Sequence, residues 1–247
     1  TDIEVKSCSL TESKMYIQVI FPSMTAEITG STKKGDVVQG GFIVSNSEVG
    51  LGAVKVEPFI YRLICDNGMI SRDHSLYKYH VGRTEDAQME LYSDEALEAD
   101  DKALMLKVRD IVRAMNDREK FMKIVHRLES STHTLAIENP IKTVELVSKQ
   151  HDLNEDEGNS ILTRLIENKD MSQYGLVNAI TQAAAVQSSY DRAVEFERLG
   201  GGYTRPLSSR NAPSGMGEPR GYSLIRFYHQ GGGGLDREVP PFLWRKE

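Results

Sequence analysis

Five side chains of this chain have the right types to make a polar site together. Asn46, Glu48, Arg62, Asn67 and His80 supply amides, a carboxylate, a guanidinium and an imidazole within 35 residues. Arg62 sits in an otherwise apolar run, Phe59-Ile60-Tyr61-Arg62-Leu63-Ile64. A guanidinium placed there needs a counter-charge, because an unpaired buried charge is costly. Glu48 is the expected partner. Gathered at one end of a sheet, the five form a pocket for a ligand or nucleotide, or an acid–base site around Glu48, Arg62 and His80. The plainer alternative is that they close turns and pair within the fold.

A second set reads as a basic rim: Lys33, Lys34, Arg72, Lys78 and Arg83. Tyr16, Tyr61, Tyr77 and Tyr79 accompany it. Aromatic faces beside cations stack single-stranded bases, and they do so with little regard to sequence. Otherwise the lysines decorate a hairpin and the tyrosines pack half-buried on a sheet. No residue is nominated as catalytic. Asp152-Leu-Asn154-Glu-Asp156 has the acidic spacing of a calcium loop. Its glycine, Gly158, comes one place late, however, and position twelve is Thr163 where a bidentate carboxylate is needed. Those acids suit the first turn of a helix better. His74 with His80, and His126 with His133, lack ligand spacing, and no Cys/His group has zinc spacing. There is no Gly-x-x-x-x-Gly-Lys-Ser/Thr loop, and Gly215-Met216-Gly217 is followed by Gly221 one place too late for a dinucleotide fingerprint. No metal or cofactor is expected.

The elements that must position these residues fall into two halves. Met15, Ile17, Val19 and Phe21 alternate with their neighbours at a strand's period. Pro22-Ser23 ends that run, and Thr25 to Thr29 forms another short strand. Lys33-Lys34-Gly35-Asp36 is a turn before the strand Val37–Ser45. Gly50 and Gly52 mark a bend or bulge. Ala53 to Cys65 is apolar on both faces near its end, which predicts a strand covered on both sides. Pro58 cannot donate to a ladder, so it requires a bulge or an edge position. Asp66-Asn67-Gly68 is a hairpin turn, since Asn and Gly accept positive φ cheaply. Leu76 to Val81 returns.

From Ser93 the spacing becomes helical. One helical pattern runs to about Ser130 with a break near Asn116-Asp117. Asn139-Pro140 opens a helix to about Gln150. Others cover Glu155 to Asn168 and Ser172 to about Leu199. Beyond Gly202 the chain is rich in Gly, Pro, Ser and Arg, a linker-like composition. Pro240 to Trp244 reads as an extended apolar hook.

Hydrophobic residues make up 39% of the 247 positions and charged residues 27%, enough apolar material for a core and too much for a wholly disordered chain. The net charge of −6 is uneven. Residues 1–83 balance, residues 84–199 are acidic, and residues 200–247 are basic. Any phosphate-binding surface therefore belongs to the strand half or the tail. No apolar run reaches the roughly 18 residues that cross a membrane. The two cysteines, Cys8 and Cys65, are expected as reduced, buried thiols in a cytoplasmic protein.

Three stretches carry a family resemblance: Ser45-Asn46-Ser47-Glu48-Val49-Gly50; Tyr61-Arg62-Leu63-Ile64-Cys65-Asp66-Asn67-Gly68-Met69; and His80-Val81-Gly82. Tyr190-Asp191-Arg192-Ala193 and Glu195 to Gly201 extend it. As a set, over residues 1–202, they resemble the phage/plasmid-like proteins grouped as domain of unknown function nine-three-two. That resemblance implies a prophage or plasmid setting and no particular reaction. Members usually carry a region ahead of the point where this chain starts, so Thr1 is expected to open a fragment, a processed chain or a short variant. The order of elements is also similar to that of Rad-type single-strand annealing proteins, which form rings.

The expected fold is α+β: an antiparallel β-meander over residues 1–83, a helical layer over 84–199 covering one sheet face, and an irregular Gly/Arg-rich tail over 200–247. The expected function is nucleic-acid association, by binding or annealing single-stranded DNA as a homo-oligomer. The alternative is a phage-derived inhibitor or assembly protein that uses its acidic helical face.

Overall fold

The computed structural model describes residues 2–47, 54–71, 93–134 and 136–204, and the backbone of 79–81. The fold is α+β, with strands first and helices after. The strands are β1 (Glu4–Leu10), β2 (Met15–Glu27), β3 (Val37–Asn46), β4 (Val54–Arg62), β5 (Asn67–Ile70) and β6 (Tyr79–Val81). They pair antiparallel in the order β1-β2-β3-β4-β5, and β6 pairs with the first half of β4.

The helices are α1 (Asp94–Met115), α2 (Arg118–His133), α3 (Pro140–Gln150), α4 (Glu155–Asn168), α5 (Gln173–Ala183) and α6 (Tyr190–Gly202). Each starts on a polar cap: Ser93, Asp117, Asn139, Asn154, Ser172 and Ser189 accept bonds from the first-turn amides. The break expected near Asn116-Asp117 separates α1 from α2. The acids around Asp156 open α4, where Asn154 and Glu157 form a reciprocal capping box.

Pro22, which reads as ending a strand, and Pro58, which reads as needing a bulge or an edge, both lie within strands. Pro22 falls where the β2–β3 register shifts between Ile20 and Thr25, so a bulge carries it and β2 continues to Glu27. Pro58 pairs across from Phe42 of β3. Its carbonyl accepts from Ser71 N at 3.0 Å on the other edge. A residue's N and O point to the same edge of a strand, so the missing N–H faces Ser71, just past the end of β5, and its cost is confined to that one bond.

The single helix expected over Ser172–Leu199 is two. After α5 comes one 3₁₀ turn, Ala184–Val186, then a fresh start capped by Ser189. The break lets the chain change sides of the sheet. On one face Val19, Phe21, Val38, Phe42, Val56 and Ile60 pack with residues of α1 to α5. On the other, Tyr16, Ile20, Ile43, Phe59, Tyr61 and Ile70 pack against Val194 and Tyr190 of α6. Helices thus cover both sheet faces rather than one. Sheet and helices also share one compact unit, residues 1–206. The tail from 207, with its predicted hook, lies outside the described residues.

The cysteines are free, but Cys8 is exposed on β1 and Cys65 is half-buried in a turn. Neither is the fully buried thiol that the sequence predicts. Among the described residues no helix is long and apolar enough to cross a membrane.

Candidate functional site: a polar cleft at the β4–β5 hairpin

Strand register decides which of the five predicted polar residues can meet. Arg62 pairs with Asn67 at the closed end of the β4–β5 hairpin, and with Val38 at the start of β3. Asn46 ends β3 eight residues further on, about 26 Å away at the rise of a strand. His80 pairs with Lys55, which itself pairs with Ser45, so its backbone belongs to that far end too. Arg62 and Asn67 therefore meet, while Asn46 and His80 stand at the opposite end of the sheet. Glu48 lies outside the described residues, as do Arg72, Lys78 and Arg83 of the expected basic rim. Lys33 and Lys34 occupy the β2–β3 connection.

The partner of Arg62 is Asp36, a residue that reads in sequence as part of a turn. Arg62 Nε donates to Asp36 Oδ1 at 2.6 Å, and Nη2 bonds Oδ2. Tyr174 of α5 donates its hydroxyl to Oδ2 at 3.0 Å, and Ser31 at 2.5 Å. Asp36 is completely buried. Burial raises its carboxyl, but the bonds from Arg62, Ser31 and Tyr174 and the guanidinium charge outweigh that and hold it below the ordinary range. The pair is internally satisfied and leaves Arg62 no role as an acid–base partner of Glu48 or His80.

The reversal itself differs in detail from its sequence signature. The turn is Leu63–Asp66, and the positive φ of 52° belongs to Asp66. Asn67 and Gly68 are already strand. Gly68 is required by close approach: a Cβ there would stand 2.2 Å from the Phe59 ring and 2.9 Å from Glu197 Oε1. Gly201 has the same role, since its Cβ would stand 1.8 Å from the Ile70 carbonyl oxygen. These two glycines allow α6 to lie directly on β5.

Beside this contact is a cleft of about 560 Å³. The hairpin supplies Cys65, Asp66, Asn67 and Gly68; α4 supplies Arg164 and Asn168, one turn apart; α5 supplies Thr181 and Gln182; and α6 supplies Tyr190 and Glu197. Ser7, Gln18 and Tyr61 reach it from the sheet. Most of these polar groups are paired. Gln18 Nε2 donates to both oxygens of Glu197 at 3.0 Å, and Ser7 links Gln18 to the Tyr190 hydroxyl at 2.9 and 3.0 Å. Asn168 donates to Gln182 Oε1 at 2.9 Å and accepts from Lys33 Nζ at 3.0 Å. Lys33 and Arg62 also donate to Cys65 Sγ, at 3.6 and 3.4 Å.

Two features of the cleft are unusual. Burial pushes the Glu197 carboxyl up to about 7, against smaller opposing effects from Gln18 and Arg198. Arg198 is itself committed to Glu57, with Nε to Oε2 at 3.0 Å. In addition, among the described residues two buried side-chain atoms have no hydrogen-bond partner, Asn67 Oδ1 and Arg164 Nε. Both residues line this cleft. A buried donor or acceptor left unmatched costs about 1–3 kcal/mol, so such atoms are rare and call for a reason.

The structure describes two of the four tyrosines expected to stack bases; Tyr77 and the Tyr79 side chain lie outside the described residues. Tyr16 and Tyr61 are 2% and 6% exposed. Tyr16 donates to Asp191 at 2.5 Å, and the Lys6 amine lies 4.7 Å from the Tyr61 ring centre. Neither ring offers an open face for stacking. What sequence reasoning missed is Asp36 as the counter-charge of Arg62, and Gln18, Thr181, Arg164 and Glu197 as lining one cleft. Gln18 carried a weak signal, a lone amide on the Tyr16–Gln18–Ile20 face of β2.

Fold and site together define an α+β protein with a polar, ligand-sized cleft where its hairpin meets its last helix. No family model, curated protein or solved structure matches the chain.

Proposed function

We propose that this chain works by non-covalent binding, and that its ligand is single-stranded nucleic acid handled by a phage or plasmid in the cytoplasm. The observation that carries the reading is a convergence. Tyr61–Met69, Tyr190–Ala193 and Glu195–Gly201, the first far from the other two in sequence, are three of the stretches that carry the resemblance to phage/plasmid-like proteins, and all line or support this cleft. Amide and hydroxyl groups around a concave site pair with the edges of unstacked bases, the part of a single strand that a protein can read. Lys33, held to the cleft residue Asn168, and the exposed Lys34 beside it bring positive charge to that rim. Binding or annealing by an oligomer is the form expected.

Filter binding of a single-stranded oligonucleotide at low and moderate salt tests this. Retention that weakens as salt is added supports it. No retention, or retention indifferent to salt, removes it. Light scattering with and without the oligonucleotide reports the assembly.

A second reading has its own observation. The first two-thirds of α1 stand largely exposed, with Asp94, Glu95, Glu98, Asp100 and Asp101 followed by Met105, 67% exposed, and Leu106. An acidic helix face ending in exposed apolar side chains suits a protein partner. A stable complex with another protein that survives nuclease treatment favours it over nucleic-acid binding.

A further inference from the structure

We infer that the cleft seats a single flat ring presenting an N–H donor beside a carbonyl acceptor, the amide edge of an unstacked thymine, uracil or guanine base. This inference rests on the nucleic-acid reading above and specifies what the cleft would read.

The inference comes from the two unmatched atoms. Asn67 Nδ2 donates to Thr181 Oγ1 at 2.6 Å. The Thr181 hydroxyl spends its own proton on the backbone carbonyls of Val177 and Asn178, at 3.0 and 3.2 Å. That hydroxyl can therefore only accept from Asn67, which fixes the amide the right way round. The group left over is the Asn67 carbonyl, an acceptor, on a side chain more than nine-tenths buried. Arg164 Nε–H is a donor. A ligand that satisfies both must offer a donor and an acceptor. The neighbouring amides do not compete for it: Gln18, Asn168 and Gln182 are engaged with Glu197, Lys33 and each other.

Size and walls agree. About 560 Å³ lies within the range of small-molecule sites and exceeds what one ring fills, leaving room for a sugar. Arg164 is half-buried on α4, whereas Asn67 is held by α5. An unmatched acceptor fixed by the scaffold and a buried unmatched donor on α4 make a site that discriminates by hydrogen bonding, because a ligand lacking either group leaves its partner unpaired.

The test compares affinities of the full chain for three strands of equal length: oligothymidylate, oligo(N3-methylthymidylate) and an abasic phosphodiester. The expected result is at least tenfold tighter binding of oligothymidylate than of either other strand. Asn67→Leu and Arg164→Met should each abolish that difference, and Arg164→Met, which also removes a positive charge, should weaken all three strands alike. Thermal unfolding verifies each variant, and Arg164→Met decides the matter if Asn67→Leu does not fold. Equal affinity for all three strands overturns the base-reading inference and leaves nucleic-acid binding standing. If no strand binds but free thymidine does and N3-methylthymidine does not, the nucleic-acid reading falls and the cleft assignment survives as a small-molecule site. Binding of none of these overturns both.

Discussion

Asp36 and Glu197 are both shut away from water, on opposite faces of one sheet, and burial acts on both in the same direction. They end up on opposite sides of the ordinary carboxylate range. Asp36 faces α5 and collects a guanidinium, a hydroxyl and a phenol, so its carboxyl is held low. Glu197 faces β2 and β5 and receives one neutral amide group, while the nearby Arg198 is committed to Glu57, so it is pushed up to about 7. The first site is complete within the chain and holds the β2–β3 connection to α5. The second adjoins a cleft with an unmatched acceptor and an unmatched donor. Buried polar groups that are fully matched describe architecture, and those left unmatched point to something outside the chain.

The largest effect should come from breaking the complete site. Asp36→Ala leaves the Arg62 guanidinium buried without its counter-charge and should cost roughly 3–5 kcal/mol in denaturant unfolding. Replacing both partners, Asp36→Leu with Arg62→Met, should recover much of that loss. Equal loss in the single and double variants would show that the pair is not what holds this corner.

Next comes the contact that separates the two regions. Gly201→Ala drives a methyl into the Ile70 carbonyl and should destabilise by about 1–3 kcal/mol. Because α6 forms one wall of the cleft, this variant should also weaken oligonucleotide binding.

The carboxylates then differ in pH dependence. Folded Glu197 keeps its proton to about pH 7, while the unfolded chain releases it near 4.5. Between those values the folded state binds more protons, so this group's contribution to stability is full below about pH 4.5 and is lost as pH rises through about 7. Glu197→Gln should remove that slope and gain roughly 1–3 kcal/mol relative to the parent above pH 7. Asp36 has the opposite sign: its contribution is present above its unfolded value of 3.8 and fades as acid titrates the folded carboxyl. Stability curves of parent and Glu197→Gln that stay parallel from pH 4 to pH 8 would contradict the buried, proton-holding carboxyl.

The smallest effect sharpens the contrast. Arg164→Met removes a buried unmatched donor and should raise stability by about 1 kcal/mol, in the same unfolding assay that registers Asp36→Ala as a large loss.

Much of the fold was legible. Helix starts were, because a cap is a local device: Ser93, Asn139 and Ser172 each sit where their own next turn needs an acceptor. The strands were legible from alternation, and the hairpin from its turn residues. Pro22 misled, since a bulge carries it within β2, and whether a proline ends a strand depends on the pairing of a neighbouring strand. The helix break before Ser189 was missed for a similar reason: the chain must cross from one sheet face to the other there, and no local residue pattern records a sheet face.

Of the polar cluster read from the sequence, only Asn67 lines the candidate site, with Arg62 next to it through Cys65. Which polar residues meet depends on register, which relates strands up to about 25 residues apart at this corner, and on the side of the sheet a helix takes, which relates segments over a hundred residues apart. Local chemistry along the chain settled the α+β class, most element boundaries and the need of Arg62 for a counter-charge. Tertiary packing alone chose Asp36 as that counter-charge, sent Asn46 and His80 to the far end of the sheet, and brought Glu197 to the cleft, because a charge or an amide finds its partner across space and the backbone period constrains only its immediate neighbours.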